Sequence, residues 1–168
     1  MTDKNIVTAP PGENWFTIVR SFEAPRRLVY KCYTEPQHVA RFWGPRGSTA
    51  ISRMDVRVGG VWRIDWKFAD GSGFGYSSVY LEIVPNERLH YRDAPGDWVF
   101  GLDGLPEVEL ITTISLADDA GLTTVTVRVI CPSVAARDEN VKRGFTGMVS
   151  LGHDRLAEYL ETLDQTAA

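Results

Sequence analysis

Residues 61–69 alternate more strictly than any other stretch of the chain. Trp62, Ile64, Trp66 and Phe68 fall on one side, and Arg63, Asp65 and Lys67 on the other. A period of two with aromatic rings on one face requires an extended strand covered on that face. Gly59-Gly60 before it and Asp70-Gly71-Ser72-Gly73 after it are tight-turn signals, so the strand is flanked by hairpins in an antiparallel meander.

The same reading finds further strands at 16–23, 49–58, 75–84, 88–93, 107–116 and 122–131. Pro25 opens a short helix with Leu28, Val29, Cys32 and Tyr33 at helical spacing, and Thr34-Glu35-Pro36 stops it. Gln37 to Trp43 reads as a second short helix, ended by Gly44-Pro45-Arg46-Gly47. Pro132-Ser133 then opens a long helix capped by Ser133. Its apolar stripe is Val134, Val141, Phe145, Met148, Gly152, Leu156, Tyr159 and Leu163. Gly144, Gly147 and Gly152 each cost about 1 kcal/mol relative to Ala in a helix, so a bend is expected between Gly144 and Gly152. The expected fold is α+β: a curved antiparallel sheet of about seven strands wrapped around a long C-terminal helix, with two short helices between strands one and two. Residues 1–14, with Pro10-Pro11-Gly12, read as a flexible N-terminal arm, and 15–168 as a single domain.

Composition narrows the functions. A chain of 168 residues with 43% hydrophobic residues carries an ordinary soluble core. The 18 Lys+Arg against 22 Asp+Glu give a net charge of −4, which argues against nucleic acid as a partner. No apolar run is long enough for a membrane span, and residues 1–14 contain no signal-peptide core, so a cytoplasmic location is expected. Cys32 and Cys131 read as core thiols, with a disulfide as the alternative.

The long helix has to cover the sheet's apolar face, and the space between them is either packed core or a cavity. The cavity reading assigns its lining to Trp62, Ile64, Trp66, Phe145, Met148, Gly152 and His153. Read structurally, Trp62 and Trp66 are core under the helix, and Gly152 admits a large side chain such as Trp66 or marks a bend. Residues 94–106 form a long apolar-rich loop, read as a lid, as a contact in a homodimer, or as packing over the sheet edge. Phe42, Trp43, Trp98 and Phe100 are placed at the cavity mouth or lid. His38, His90 and His153 make no metal-binding spacing, so no metal and no cofactor is expected; His153 is set at the pocket edge, against a polar ligand group. Asp93, Glu107 and Glu109 flank the loop, either as solvated surface carboxylates or with one serving as a buried general base. No catalytic residue is assigned.

Five blocks in order resemble a known family. They are Ala24-Pro25-Arg26 with Leu28-Val29-Tyr30; Thr34-Glu35-Pro36 through Ala40-Arg41-Phe42-Trp43-Gly44-Pro45; Asp55 through Arg63; Glu82 through Leu89; and Asp154-Arg155-Leu156-Ala157-Glu158-Tyr159-Leu160. Together, over residues 16–163, the chain resembles bacterial proteins similar to the C-terminal domain of the activator of heat-shock-protein-90 ATPase. Those belong to the START-like, polyketide-cyclase-like superfamily. The resemblance implies a helix-grip fold with an apolar pocket between sheet and C-terminal helix, and members that bind, carry or transform small hydrophobic molecules. Many relatives carry a Gly-Trp pair midway along the last helix, where Met148-Val149 stands here, so the helix face over the pocket differs.

Three functions are carried forward. The first is binding of a small apolar or amphipathic ligand without catalysis. The second is an enzyme of the cyclase or dehydratase kind, with His153, His90 or Asp93 as acid or base. The third, which rests on the family's name, is a chaperone-associated interaction module.

Overall fold

The computed structural model describes residues 4–93 and 109–164. Its strands are β1 (Ile6–Thr8), β2 (Trp15–Phe22), β3 (Ser48–Met54), β4 (Val61–Phe68), β5 (Gly73–Val84), β6 (Arg88–Asp93), β7 (Ile111–Asp119) and β8 (Leu122–Ile130). Helices α1 (Arg26–Thr34) and α2 (Pro36–Phe42) fall between β2 and β3, and α3 (Val134–Lys142) and α4 (Phe145–Leu160) follow β8. The strands form one antiparallel sheet in the order β1-β2-β8-β7-β6-β5-β4-β3. The α+β class and the covering helix are as expected, but the sheet has eight strands rather than about seven. The extra strand comes from the segment read as an arm, where Ile6, Val7 and Thr8 pair with Val19, Ile18 and Thr17.

Alternation decides which side chains meet the helices. Phe16, Ile18 and Phe22 of β2, Trp62, Ile64 and Trp66 of β4, and Val125, Val127 and Val129 of β8 point inward and are buried. Burial of these rows against α1, α2 and α4 supplies the core.

The C-terminal segment is two helices, not one. Gly144 adopts φ +92°, a left-handed conformation that ends α3 and starts α4 at a new angle. Ser133 caps α3 as expected, accepting from the Ala136 amide at 3.0 Å. The apolar stripe runs only partly through α3, where Val141 packs half-buried against the core. Val134 is exposed there, and the buried residues are Arg137 and Asn140. The Arg137 guanidinium donates to the carbonyls of Pro10 (2.9 Å) and Trp15 (3.3 Å), so α3 holds the chain entering β2 through a polar clamp. On α4 the stripe is present, centred on Val149, Gly152, His153, Leu156 and Leu160.

Candidate ligand-binding site

Between the sheet and the first turns of α4 lies a small void of about 20 Å³. Tyr76 of β5, Tyr91 and Asp93 of β6, Thr112 of β7, and Val127 and Val129 of β8 supply the sheet side. Phe145, Met148 and Val149 of α4 cover it, and Trp43, just past α2, closes one flank. Phe145 and Met148 are half-buried, which puts the first turn of α4 nearest to solvent.

The placing of Asp93 follows from strand register. Leu89, Tyr91 and Asp93 are the inward residues of β6, and Asp93 stands directly opposite Ser78 of β5. Asp93 is 3% exposed, and its Oδ1 accepts from the Ser78 hydroxyl at 2.6 Å. Burial pushes its carboxyl up to about 7, against a smaller lowering by the Ser78 hydrogen bond. No ion pair reaches it among the described residues. The neighbouring phenols of Tyr76 and Tyr91 are raised well above the usual range, first by burial. They stay neutral.

Trp43 organises the aromatic wall. Its indole N–H donates to the Tyr76 hydroxyl at 2.5 Å, and its carbonyl accepts from the Trp66 indole N–H at 2.8 Å. Its ring lies 5.8 Å from that of Trp62. Arg155 of α4 fixes the loop behind it, donating to the carbonyls of Gly44 (2.7 Å) and Arg41 (2.9 Å). The indole is thus held from both sides.

The expected site residues divide accordingly. Phe145 and Met148 line the void, and so does Trp43, as a buried wall rather than at a rim. Trp62, Ile64 and Trp66 are buried but are not in the lining. Trp62 donates its indole N–H to Ser52 Oγ at 3.0 Å and packs edge-on to Tyr76 and Tyr91. Phe42 is fully buried against Tyr33 and Trp43, not at a mouth. Gly152 faces Trp43 rather than Trp66: a Cβ there would sit 3.7 Å from Trp43 Cε3. His153 is 0% exposed, with Nδ1 2.9 Å from Asn5 Oδ1 and its ring edge-on to Phe22. It faces the N-terminal segment and is not in the void's lining, because the buried face of α4 is wider than the narrow stripe assigned to it. Burial, and then the Arg20 charge, lower its pKa to about 4. His90 lies on the outer face of β6, 2.8 Å from Thr113 Oγ1, and His38 contacts the Tyr159 hydroxyl at 2.7 Å. Trp98, Phe100, Glu107 and the whole 94–106 loop lie outside the described residues. Tyr76, Tyr91, Thr112 and Ser78 were missed, although the inward alternation of β5, β6 and β7 contains them all.

A broader hollow of about 430 Å³ lies on the outer side of β3, β4 and β5, edged by Arg53, Arg63, Asp65 and Lys67. Its Arg63 and Asp65 are already paired at 2.7 Å. Among the described residues no cluster of His, Cys, Asp or Glu is arranged to hold a metal, and no helix is long and apolar enough to cross a membrane. Cys32 and Cys131 are free buried thiols, pushed up by burial to about 12 and about 11.

Comparison with solved structures finds the same architecture repeatedly. A protein from Chromobacterium violaceum is 29% identical with a TM-score of 0.70, over 88% of this chain and 97% of that one. One from Arthrobacter aurescens reaches a TM-score of 0.82 at 18% identity, over 95% and 93%. DynU16, a protein of the dynemicin biosynthetic locus, is 26% identical with a TM-score of 0.64; the match covers 89% of this chain but 48% of that one. Comparison with curated proteins gives no match. The family model described as "Activator of Hsp90 ATPase homolog 1-like protein" matches residues 23–161, from the end of β2 to the end of α4. With its START-like, polyketide-cyclase-like fold, the chain belongs to that family.

Proposed function

We propose that the chain binds a small apolar or amphipathic molecule between the sheet and α4, with the ligand's polar end against Asp93. The observation that carries this reading is the void: aromatic and aliphatic walls around one buried carboxyl. Protein interiors pack to near-crystal density, and a buried carboxyl without a charged partner costs stability. An unfilled space that also holds such a group breaks two rules of core construction at one point, which is where function is expected. At about 20 Å³ the void has room for about one water. A larger occupant enters by displacing Met148 and Phe145; the unbranched thioether of Met148 is the wall most easily moved. Val149 beside it is buried and stays as a fixed wall.

The test is a fluorescence titration with Nile red, a neutral apolar probe, on the protein and on Met148→Trp. Saturable one-site binding, weakened about tenfold when the indole fills the void, is expected. Failure to saturate, or equal binding by the variant, would overturn the reading.

A second reading is favoured by one observation. A buried carboxyl pushed up to about 7 is suited to a general base at neutral pH. Asp93 would then remove a proton from a bound substrate, as cyclase or dehydratase chemistry requires. Deuterium exchange into a 1,3-dicarbonyl probe at pH 8 should be accelerated by the protein and not by Asp93→Asn. Equal exchange with both would refute it.

A further inference from the structure

The charges around the void are one-sided. Asp93 brings a carboxyl, while no Lys, Arg or His lines the void among the described residues. Thr112 adds a hydroxyl to the lining, and Ser78, outside it, donates its hydroxyl to Asp93. Elsewhere acids meet cations: Asp65 pairs with Arg63, Glu139 with Arg143 and Glu158 with Arg46. Those pairs are in reach of solvent. Asp93, the acid that most needs a counter-charge because it is buried, has none among the described residues.

The walls are also of a particular kind. Trp43, Tyr76, Tyr91 and Phe145 surround the void with aromatic rings. Their negative faces favour a cation and disfavour an anion. A void sized for about one water suits a primary ammonium group, which is close to water in size and has three protons to donate.

We propose that the void receives the ammonium head of an amine-bearing ligand, which forms a charge-assisted hydrogen bond to the Asp93 carboxylate inside the aromatic box of Trp43, Tyr76, Tyr91 and Phe145. This rests on the reading that the void is a ligand site, and it names the ligand's class: a primary amine on an apolar body. Carboxylate- and phosphate-ended molecules are disfavoured, because their charge would face Asp93 with no cation among the described lining residues to receive it.

The pairing sets a direction with pH. Asp93 titrates near 7, so raising pH through that value ionises it and tightens cation binding. Besides Asp93, the titratable groups in the lining among the described residues are Tyr76 of β5 and Tyr91 of β6, both neutral across this range. The covering residues Trp43, Thr112, Val127, Val129, Phe145, Met148 and Val149 carry no charge. An alkylamine, like a lysine, stays protonated to about pH 9.

The experiment is calorimetric titration at pH 6 and pH 8 with three six-carbon ligands differing only in their heads: n-hexylamine, n-hexanol and hexanoate. Hexylamine should bind about tenfold tighter than hexanol at pH 8, with the advantage shrinking at pH 6 and hexanoate weakest. Asp93→Asn, checked for folding by circular dichroism, should bring the amine down to the alcohol while leaving alcohol binding in place. The ¹³C carboxyl resonance of Asp93 should titrate at lower pH with the amine bound. If hexanol or hexanoate binds as well as the amine, the amine proposal fails and the void remains a ligand site. If none of the three binds and Nile red also fails to saturate, both readings fail.

Discussion

Two glycines touch indole rings in opposite ways. Gly44 has φ +116°, and a Cβ built on it would lie 2.0 Å from the Trp66 indole nitrogen, the atom that donates to the Trp43 carbonyl. Gly44→Ala therefore forces an unfavourable backbone and displaces a buried ring. A loss of about 3 kcal/mol or more in urea unfolding is expected. Gly152 lies within α4, where a Cβ would make ordinary contact with Trp43 at 3.7 Å. Gly152→Ala should raise stability by about 0.5–1 kcal/mol through helix propensity, and a loss would show that Trp43 cannot give way. Sequence marked Gly152 as needing a large neighbour but named Trp66, because helical spacing tells which face a residue is on and not which ring crosses it. Asp93 was more legible than it was read to be. Leu89, Tyr91 and Asp93 share the inward phase of one strand, and only the general tendency of carboxylates to be solvated argued for the surface. Trp43 was read as belonging to the cavity, but its hydrogen bonds could not be: its partners Tyr76 and Trp66 lie 33 and 23 residues away and are set by tertiary packing.

At the level of elements, the N-terminal strand departs most from expectation. Three residues pairing at a sheet edge are too few to give a hydrophobic period, and Pro10-Pro11-Gly12 beside them points to a loose arm. What holds β1 lies in α4. Asn5 Oδ1 accepts from the His153 Nδ1–H at 2.9 Å, and its side-chain NH2 donates to Asp154 Oδ1 (3.1 Å) and the Ser150 carbonyl (3.3 Å). Asp154 is also bound by Arg20 of β2, so one polar knot joins β1, β2 and α4. Replacing Asn5 by Ala leaves a buried imidazole without a partner at Nδ1, and a loss of about 1–3 kcal/mol is expected. Denaturant curves would check it; a change below about 0.5 kcal/mol would show that water replaces the amide. The meander and the α4 stripe were readable because alternation and helical spacing repeat over many residues. The α3–α4 break was readable only as a glycine in that region, since spacing does not reveal the sign of φ.

For the whole molecule, two buried groups pull stability in opposite directions with pH. His153 titrates near 4 in the fold and at 6.5 when unfolded, so the unfolded chain takes up its proton first on acidification. Its contribution is complete above 6.5 and lost as pH falls toward 4. Asp93 titrates near 7 in the fold and at 3.8 when unfolded, so its contribution is complete below 3.8 and lost as pH rises through 7. Between about pH 4.5 and 6 the two slopes, each about 1.4 kcal/mol per pH unit, nearly cancel. Wild-type stability should be close to flat there as far as these groups decide it. Asp93→Asn should make it climb with pH, and His153→Gln should make it fall. Urea midpoints at half-unit pH steps would show this, and parallel profiles for all three proteins would contradict it. The order of strands in the sheet also has a consequence in time. Each of β3 to β8 pairs with its neighbour in sequence and can zip up hairpin by hairpin, but β2 pairs with β8, with Trp15 set opposite Ile130. Phe16, Ile18 and Phe22 leave the ribosome early and must wait for more than a hundred residues of chain before their edge exists. Pulse-labelled hydrogen exchange should find amides of β5 to β8 protected before those of β2; simultaneous protection would contradict that order. The first strand of the core is the last to be housed, and its aromatic row is what the growing chain has to keep from sticking elsewhere.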